Sequence, residues 1–228
     1  MFDLRSISYP KANPSLLAAN KEKILEEATF AAISGANFIH IDVMDGVFVP
    51  NVSFGIDVPR DLVDPKVGHP FLKDTHLMVN NPKDVVSSFA KVSDIVTFHI
   101  EASENKEEIL RCRDLIREKG SNAGLAINPN TPLENIFEYL EEFDLILLMT
   151  VMPGKGGQPF DPNGYDRIRL LKKELVKLTN PPILEIDGGV NDKTYQEAIS
   201  SGAELLVAGS YLYGHPDFKE RLEKIEGE

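Results

Sequence analysis

Residues 38–46 read Phe-Ile-His-Ile-Asp-Val-Met-Asp-Gly. The run Phe38–Val43 is apolar except for one imidazole and one carboxylate two positions apart. In a β-strand, residues two apart share a face, so His40 and Asp42 point to the same side near the strand's C-terminal end. The segment that follows, 45–57, carries Gly, Pro and Asn before a short helix near Val58–Val63. A loop of that length after a buried strand marks a functional connection.

Seven further apolar runs flank this one: Ser15–Leu17, Thr75–Val79, Ile95–Ile100, Ala123–Ile127, Leu145–Met149, Ile183–Ile186 and Leu205–Ala208. Most are continuous rather than alternating, as expected of parallel strands buried on both faces. Between them, Lys21–Ser34, Pro82–Ala90, Lys106–Lys119, Tyr165–Leu178 and Lys193–Ser201 place apolar residues at helical spacing. Eight strands alternating with helices predict an α/β chain forming a single (β/α)8 TIM barrel over residues 1–228. The competing architecture, an open doubly wound sheet, calls for a glycine fingerprint after the first strand. Ala18-Ala19-Asn20 stands there instead.

The chain has 228 residues, of which 42% are hydrophobic and 26% charged, enough for a sizeable core. A net charge of -12 argues against a nucleic-acid surface, which needs clustered cations. An anionic ligand must therefore be held locally, by backbone N–H groups in glycine turns or at helix starts. Cys112 is the only cysteine, so no intrachain disulfide forms; it falls in a helical segment as a structural thiol. No segment approaches the roughly 20 apolar residues of a membrane span. The expectation is a soluble, cytoplasmic protein with no membrane partner.

His76 lies in the third run, and Asp187 ends the seventh strand. With His40 and Asp42 they place two imidazoles and two carboxylates at strand C-terminal ends, the face where such barrels build their sites. Any one of them alone reads as a polar group capping a strand. Together they suit a divalent ion such as Zn(II), Fe(II), Mn(II) or Co(II). His69 and His215 sit in Gly-His-Pro loops and read as solvated, while His99 beside Glu101 lacks a second feature to make it a ligand. Glycine clusters follow three successive strands: Pro153–Gly157, Gly188-Gly189 and Gly209-Ser210. Phosphate sites of these barrels recur at these connections.

The motifs Asn13–Leu17, His40–Gly46, Phe48–Asn51, His76–Val79, Asn128–Pro132, Met149–Val151, Glu185–Gly189 and Ala208–Ser210, in this order, resemble the ribulose-phosphate 3-epimerase family over essentially the whole chain. The resemblance implies a ribulose-phosphate-binding barrel and one divalent metal ion on His40, Asp42, His76 and Asp187. It also implies a small phosphorylated ketose as substrate and a homo-oligomeric state. By the same resemblance, Asp42 is the proton acceptor and Asp187 the donor in the epimerisation of ribulose 5-phosphate to xylulose 5-phosphate. Ser15 and His76 contact substrate, and Met44, Met78 and Met149 surround the reacting centre. Gly154, Gly156, Gly157, Gly188, Gly189, Gly209 and Ser210 contact phosphate.

Inversion needs two carboxyl groups, one ionised and one protonated, on opposite faces of carbon 3. The chain departs from the family's Pro-Gly-Phe-Gly-Gly-Gln lid: Lys155 stands at the aromatic position. Lys155 either turns to solvent or adds a cation near the phosphate. Two other readings keep the barrel. One is an epimerase of allulose 6-phosphate. The other is a phosphosugar aldolase or decarboxylase, which would call for a lysine or acid–lysine dyad at the strand ends. A non-catalytic phosphosugar binder would lack one of the two aspartates, and neither is lost.

Overall fold

A computed structural model describes residues 1–227. Its eight parallel strands are β1 (Lys11–Pro14), β2 (Phe38–Met44), β3 (Leu72–Met78), β4 (Ile95–His99), β5 (Asn122–Ile127), β6 (Leu145–Met149), β7 (Ile183–Asp187) and β8 (Leu205–Ala208). They form one sheet in the order β1-β8-β7-β6-β5-β4-β3-β2. Between β1 and β2 the sheet is stitched by a single parallel bridge, Ser15 to His40. The alternation read from the sequence is thus realised as a (β/α)8 barrel.

The helices are α1 (Ile24–Ile33), α2 (Asp57–Asp61), α3 (Pro82–Phe89), α4 (Lys106–Arg117), α5 (Asn163–Leu175), α6 (Tyr195–Ser201) and α7 (Phe218–Glu226). Local chemistry sets their ends. Pro82 opens α3, where its missing N–H costs nothing. The Asn105 side chain caps α4 by accepting from Glu108 N at 3.0 Å. Helix α4 buries Ile109, Cys112 and Ile116 on one face. Each such apolar side chain is worth roughly 1.5–3 kcal/mol when fully buried. Between β5 and β6, where no helical stretch was read from the sequence, the connection is a 3-10 helix, Leu133–Tyr139. No helix is long and apolar enough to cross a membrane among the described residues.

The first strand departs from expectation. Ser15–Leu17 is not a strand; β1 precedes it, and Leu16–Ala18 is a 3-10 turn capped by the Ser15 hydroxyl. Lys11-Ala12-Asn13-Pro14 is too polar to stand out as a core strand, yet Asn13 is fully buried. Its amide nitrogen donates at 2.7 Å to both Asp74 and Glu185, which satisfies both N–H groups inside the barrel. Ser15 keeps its place at the C-terminal end of this strand, its N–H donating to Ala208 O. Strand β3 likewise begins three residues earlier than its apolar run, because the charged residue Asp74 is buried against His40.

Candidate active site at the barrel mouth

The pleat of four strands delivers residues in pairs two apart: Asn13 and Ser15, His40 and Asp42, Asp74 and His76, Glu185 and Asp187. The second member of each pair lies nearer the mouth. Register places Asp42 beside His76 and His40 beside Asp74 on neighbouring strands. Ser15 Oγ donates to Asp42 Oδ2 at 2.8 Å. His76 Nδ1 lies 3.2 Å from Asp42 Oδ1 and 4.0 Å from Asp187 Oδ2. His40 Nε2 is 3.2 Å from Asp42 Oδ1, yet it is buried and makes no hydrogen bond.

One ligand atom from each of His40, Asp42, His76 and Asp187 falls within 4.8 Å of the others. Ligands about 2 Å from a common ion lie roughly 3–4 Å apart, so this set can hold a divalent cation. The unpartnered His40 Nε2 fits that use. Burial opposes charge on His40, but the Asp42 and Asp74 carboxylates outweigh it and hold its pKa well above the usual value. The same field favours a cation.

The two aspartates are driven apart. Burial would raise Asp42, but the neighbouring His40 charge and the His76 imidazole outweigh it and hold Asp42 well below the carboxylate range. Burial first, and then the Asp42 charge, push Asp187 up to about 7. One carboxyl group therefore favours its ionised form and the other its acid form, the arrangement that assigns base and acid in one site.

Beneath this layer lies a second polar layer that the sequence reading passed over. His40 Nδ1 is 2.6 Å from Asp74 Oδ2, and the Asn13 amide bridges Asp74 and Glu185. Burial and the Asp74 charge push Glu185 well above its usual pKa. The signal for both acids was the two-residue period: Asp74 and Glu185 precede the chosen residues by two.

Above the floor opens a cavity of about 860 Å³. Ser15, Asp42 and Asp187 reach it together with Met44, Met78 and Met149, which are almost wholly buried. All seven proposed phosphate-contact residues, Gly154, Gly156, Gly157, Gly188, Gly189, Gly209 and Ser210, also line it, as does the exposed Lys155. His40 and His76 have no exposed side-chain surface and sit under the floor rather than on the wall. His69 and His215 lie outside the cavity.

The Gly188-Gly189 turn is sterically required. At φ +68°, a Cβ on Gly189 would stand 2.2 Å from Phe160 N. The Thr150 hydroxyl pins this turn, donating to the carbonyls of Asp187 and Gly188 at 2.9 and 2.7 Å. Asp45 organises the loop after β2, accepting from Val47 N, Phe48 N and Asn80 N. The lid is tied down where Asn51 donates to Gly154 O, and Gln158 to Met152 O and Lys155 O, each at 2.7 Å.

The profile of the Ribulose-phosphate 3 epimerase family matches residues 11–213, from β1 through the turn after β8. The chain belongs to the ribulose-phosphate 3-epimerase family. It is 39% identical over 222 residues to the ribulose-phosphate 3-epimerase of Bacillus subtilis strain 168, covering 95% of this chain and 98% of that one. To the ribulose-phosphate 3-epimerase of Escherichia coli strain K12 it is 38% identical over 216 residues, 94% of each chain. It is thus an enzyme of an isomerase family. Among solved structures, KGPDC from Streptococcus mutans superposes with a TM-score of 0.68 at 10% identity, covering 96% of this chain and 97% of that one. That likeness shows the barrel fold alone.

Proposed function

We propose that this ribulose-phosphate 3-epimerase family member inverts carbon 3 of a ketose phosphate, converting ribulose 5-phosphate to xylulose 5-phosphate. The observation that carries the reading is the pair Asp42 and Asp187, which meet at the floor of one cavity with opposite protonation preferences. Ionised Asp42 takes the proton beside the ketone, and the acid form of Asp187 returns one to the opposite face. Ser15 orients Asp42 through its 2.8 Å hydrogen bond. Met44, Met78 and Met149 exclude water from the reacting carbon without competing as strong ligands.

His40, Asp42, His76 and Asp187 would hold one divalent ion, whether Zn, Fe(II), Mn or Co. Bound there, it supplies Lewis-acid stabilisation of the negative oxygen that develops when the proton leaves. The glycine turns after β6, β7 and β8 would receive the phosphate on their N–H groups, at the connections where such barrels place it.

Deuterium exchange tests the reading. Ribulose 5-phosphate and hexulose 6-phosphates are incubated with the protein in deuterated water, with and without a chelator. The expected result is deuterium at carbon 3 of the pentulose phosphate, suppressed by chelation. Asp42→Asn and Asp187→Asn should each slow exchange by at least roughly 10²–10⁴-fold with an unchanged circular dichroism spectrum. Near-normal turnover in either variant removes that residue from the mechanism, and label entering only a hexulose phosphate reassigns the substrate.

A further inference from the structure

His76 has a second neighbour that epimerisation does not require. Its Nε2 lies 2.8 Å from Nε2 of His99, whose Nδ1 lies 3.2 Å from Glu101 Oε2. The His99 ring is fully buried and covered by Phe48, with ring centroids 4.8 Å apart. The other Glu101 oxygen, Oε1, accepts from Asn128 N at 2.8 Å and from the Thr131 hydroxyl. These two residues belong to the Asn128–Pro132 motif. Arg167 in turn holds that motif, donating to the Thr131 and Asn128 carbonyls at 3.0 Å each. The motif therefore serves as a cradle for one carboxylate.

We infer that Glu101 and His99 form a positioning relay that locks His76 in the tautomer with Nε2 protonated and Nδ1 bare. Each neutral imidazole carries one proton, and the shortest contact, 2.8 Å between the two Nε2 atoms, must hold one of them. A carboxylate only accepts, so His99 must carry its proton on Nδ1 and present a lone pair at Nε2. His76 must then donate through Nε2. Its Nδ1, 3.2 Å from Asp42 Oδ1 and 4.0 Å from Asp187 Oδ2, is left as a lone pair facing carboxylate lone pairs, the donor set that a cation held between them demands. Burial works against the Glu101 carboxylate, but its hydrogen bonds with His99 and Thr131 outweigh it and keep its pKa below the usual value.

The inference rests on the proposal that His76 is a metal ligand, and its test separates the two. Glu101→Gln preserves shape but reverses the sense of the relay. The amide oxygen still accepts from Asn128 and Thr131, so the amide NH2 faces His99 Nδ1. His99 must then donate from Nε2, and His76 must carry its proton on Nδ1, where it blocks the ion. The tautomers are read by nitrogen-resolved NMR of the histidine rings in metal-free protein, above the histidine titration range. Co(II) affinity is measured by competition with a chelator.

The expected result is Nε2-protonated His76 in the wild type and Nδ1-protonated His76 in Glu101→Gln, with Co(II) binding weakened roughly 10–100-fold. His99→Phe should weaken Co(II) binding to a similar degree, and the double variant no further. Glu101→Gln with the wild-type His76 tautomer and Co(II) affinity within about twofold of wild type would overturn the relay. A wild type that binds no Co(II) would remove the metal reading, while the tautomers of the metal-free protein would still decide the relay.

Discussion

His40 Nδ1 lies 2.6 Å from Asp74 Oδ2 on the neighbouring strand, with neither side chain exposed to solvent. This pairing leaves His40 Nε2 pointing at Asp42. A carboxylate behind a ligating imidazole fixes its ring and raises its basicity. Asp74→Ala should strand the His40 N–H and remove one of the two acceptors of the Asn13 amide. Each unsatisfied buried group costs roughly 1–3 kcal/mol. The expected outcome is a lowered denaturant midpoint together with weaker metal binding. Asp74→Asn, which keeps an acceptor oxygen, should lose less stability.

Loading the ion should stabilise the fold, because the four ligands converge only when β2, β3 and β7 are paired. At a free-ion concentration of about 100 times the dissociation constant, the gain is about 2.7 kcal/mol. For a chain of this size that corresponds to a rise of roughly 5–10 °C in Tm. Differential scanning fluorimetry against Mn(II), Co(II) and Zn(II) measures it. A shift that survives His76→Ala and Asp42→Asn undiminished would place the ion elsewhere.

Gly189→Ala tests the turn after β7. A left-handed conformation costs an ordinary residue roughly 1–2 kcal/mol. The added methyl would also meet Phe160 backbone at 2.2 Å, so the turn must shift. Tm should fall by at least about 3 °C, and KM for the phosphorylated substrate should rise. An unchanged KM would separate this turn from phosphate binding.

Lys155 tests the departure in the lid. It is exposed at the rim of the cavity, and an exposed charge pair is worth about 0.2–1 kcal/mol. Lys155→Met should therefore lower kcat/KM by no more than about fivefold at low salt, with the difference vanishing as salt screens the pair. Salt dependence of KM identical in wild type and variant would exclude a phosphate role for this lysine.

The residues show why some of the molecule was legible and some not. Strands such as Leu145–Met149 are buried on both faces and announce themselves as apolar runs. β1 does not, because Asn13 finds its partners on β3 and β7, some 61 and 172 residues away in sequence. Asp74 and Glu185 escaped for the same reason: a buried acid reads as a surface residue until its partner is known. His99 had no second feature in the sequence because that feature, the His76 ring, comes from another strand. The four proposed ion ligands, by contrast, lie within or at the end of apolar runs, where an imidazole or carboxylate stands out against its neighbours.

The barrel is closed between its first two strands by a single bridge, Ser15 to His40. One of these residues hydrogen-bonds the carboxylate proposed as base, and the other is a proposed ion ligand. The seam of the cylinder and the heart of its chemistry are therefore the same contact. A chain that has zipped strands two through eight but left this last stitch undone would hold nearly all its sheet and none of its turnover. Onset of activity in a refolding time course should accordingly report closure of this seam.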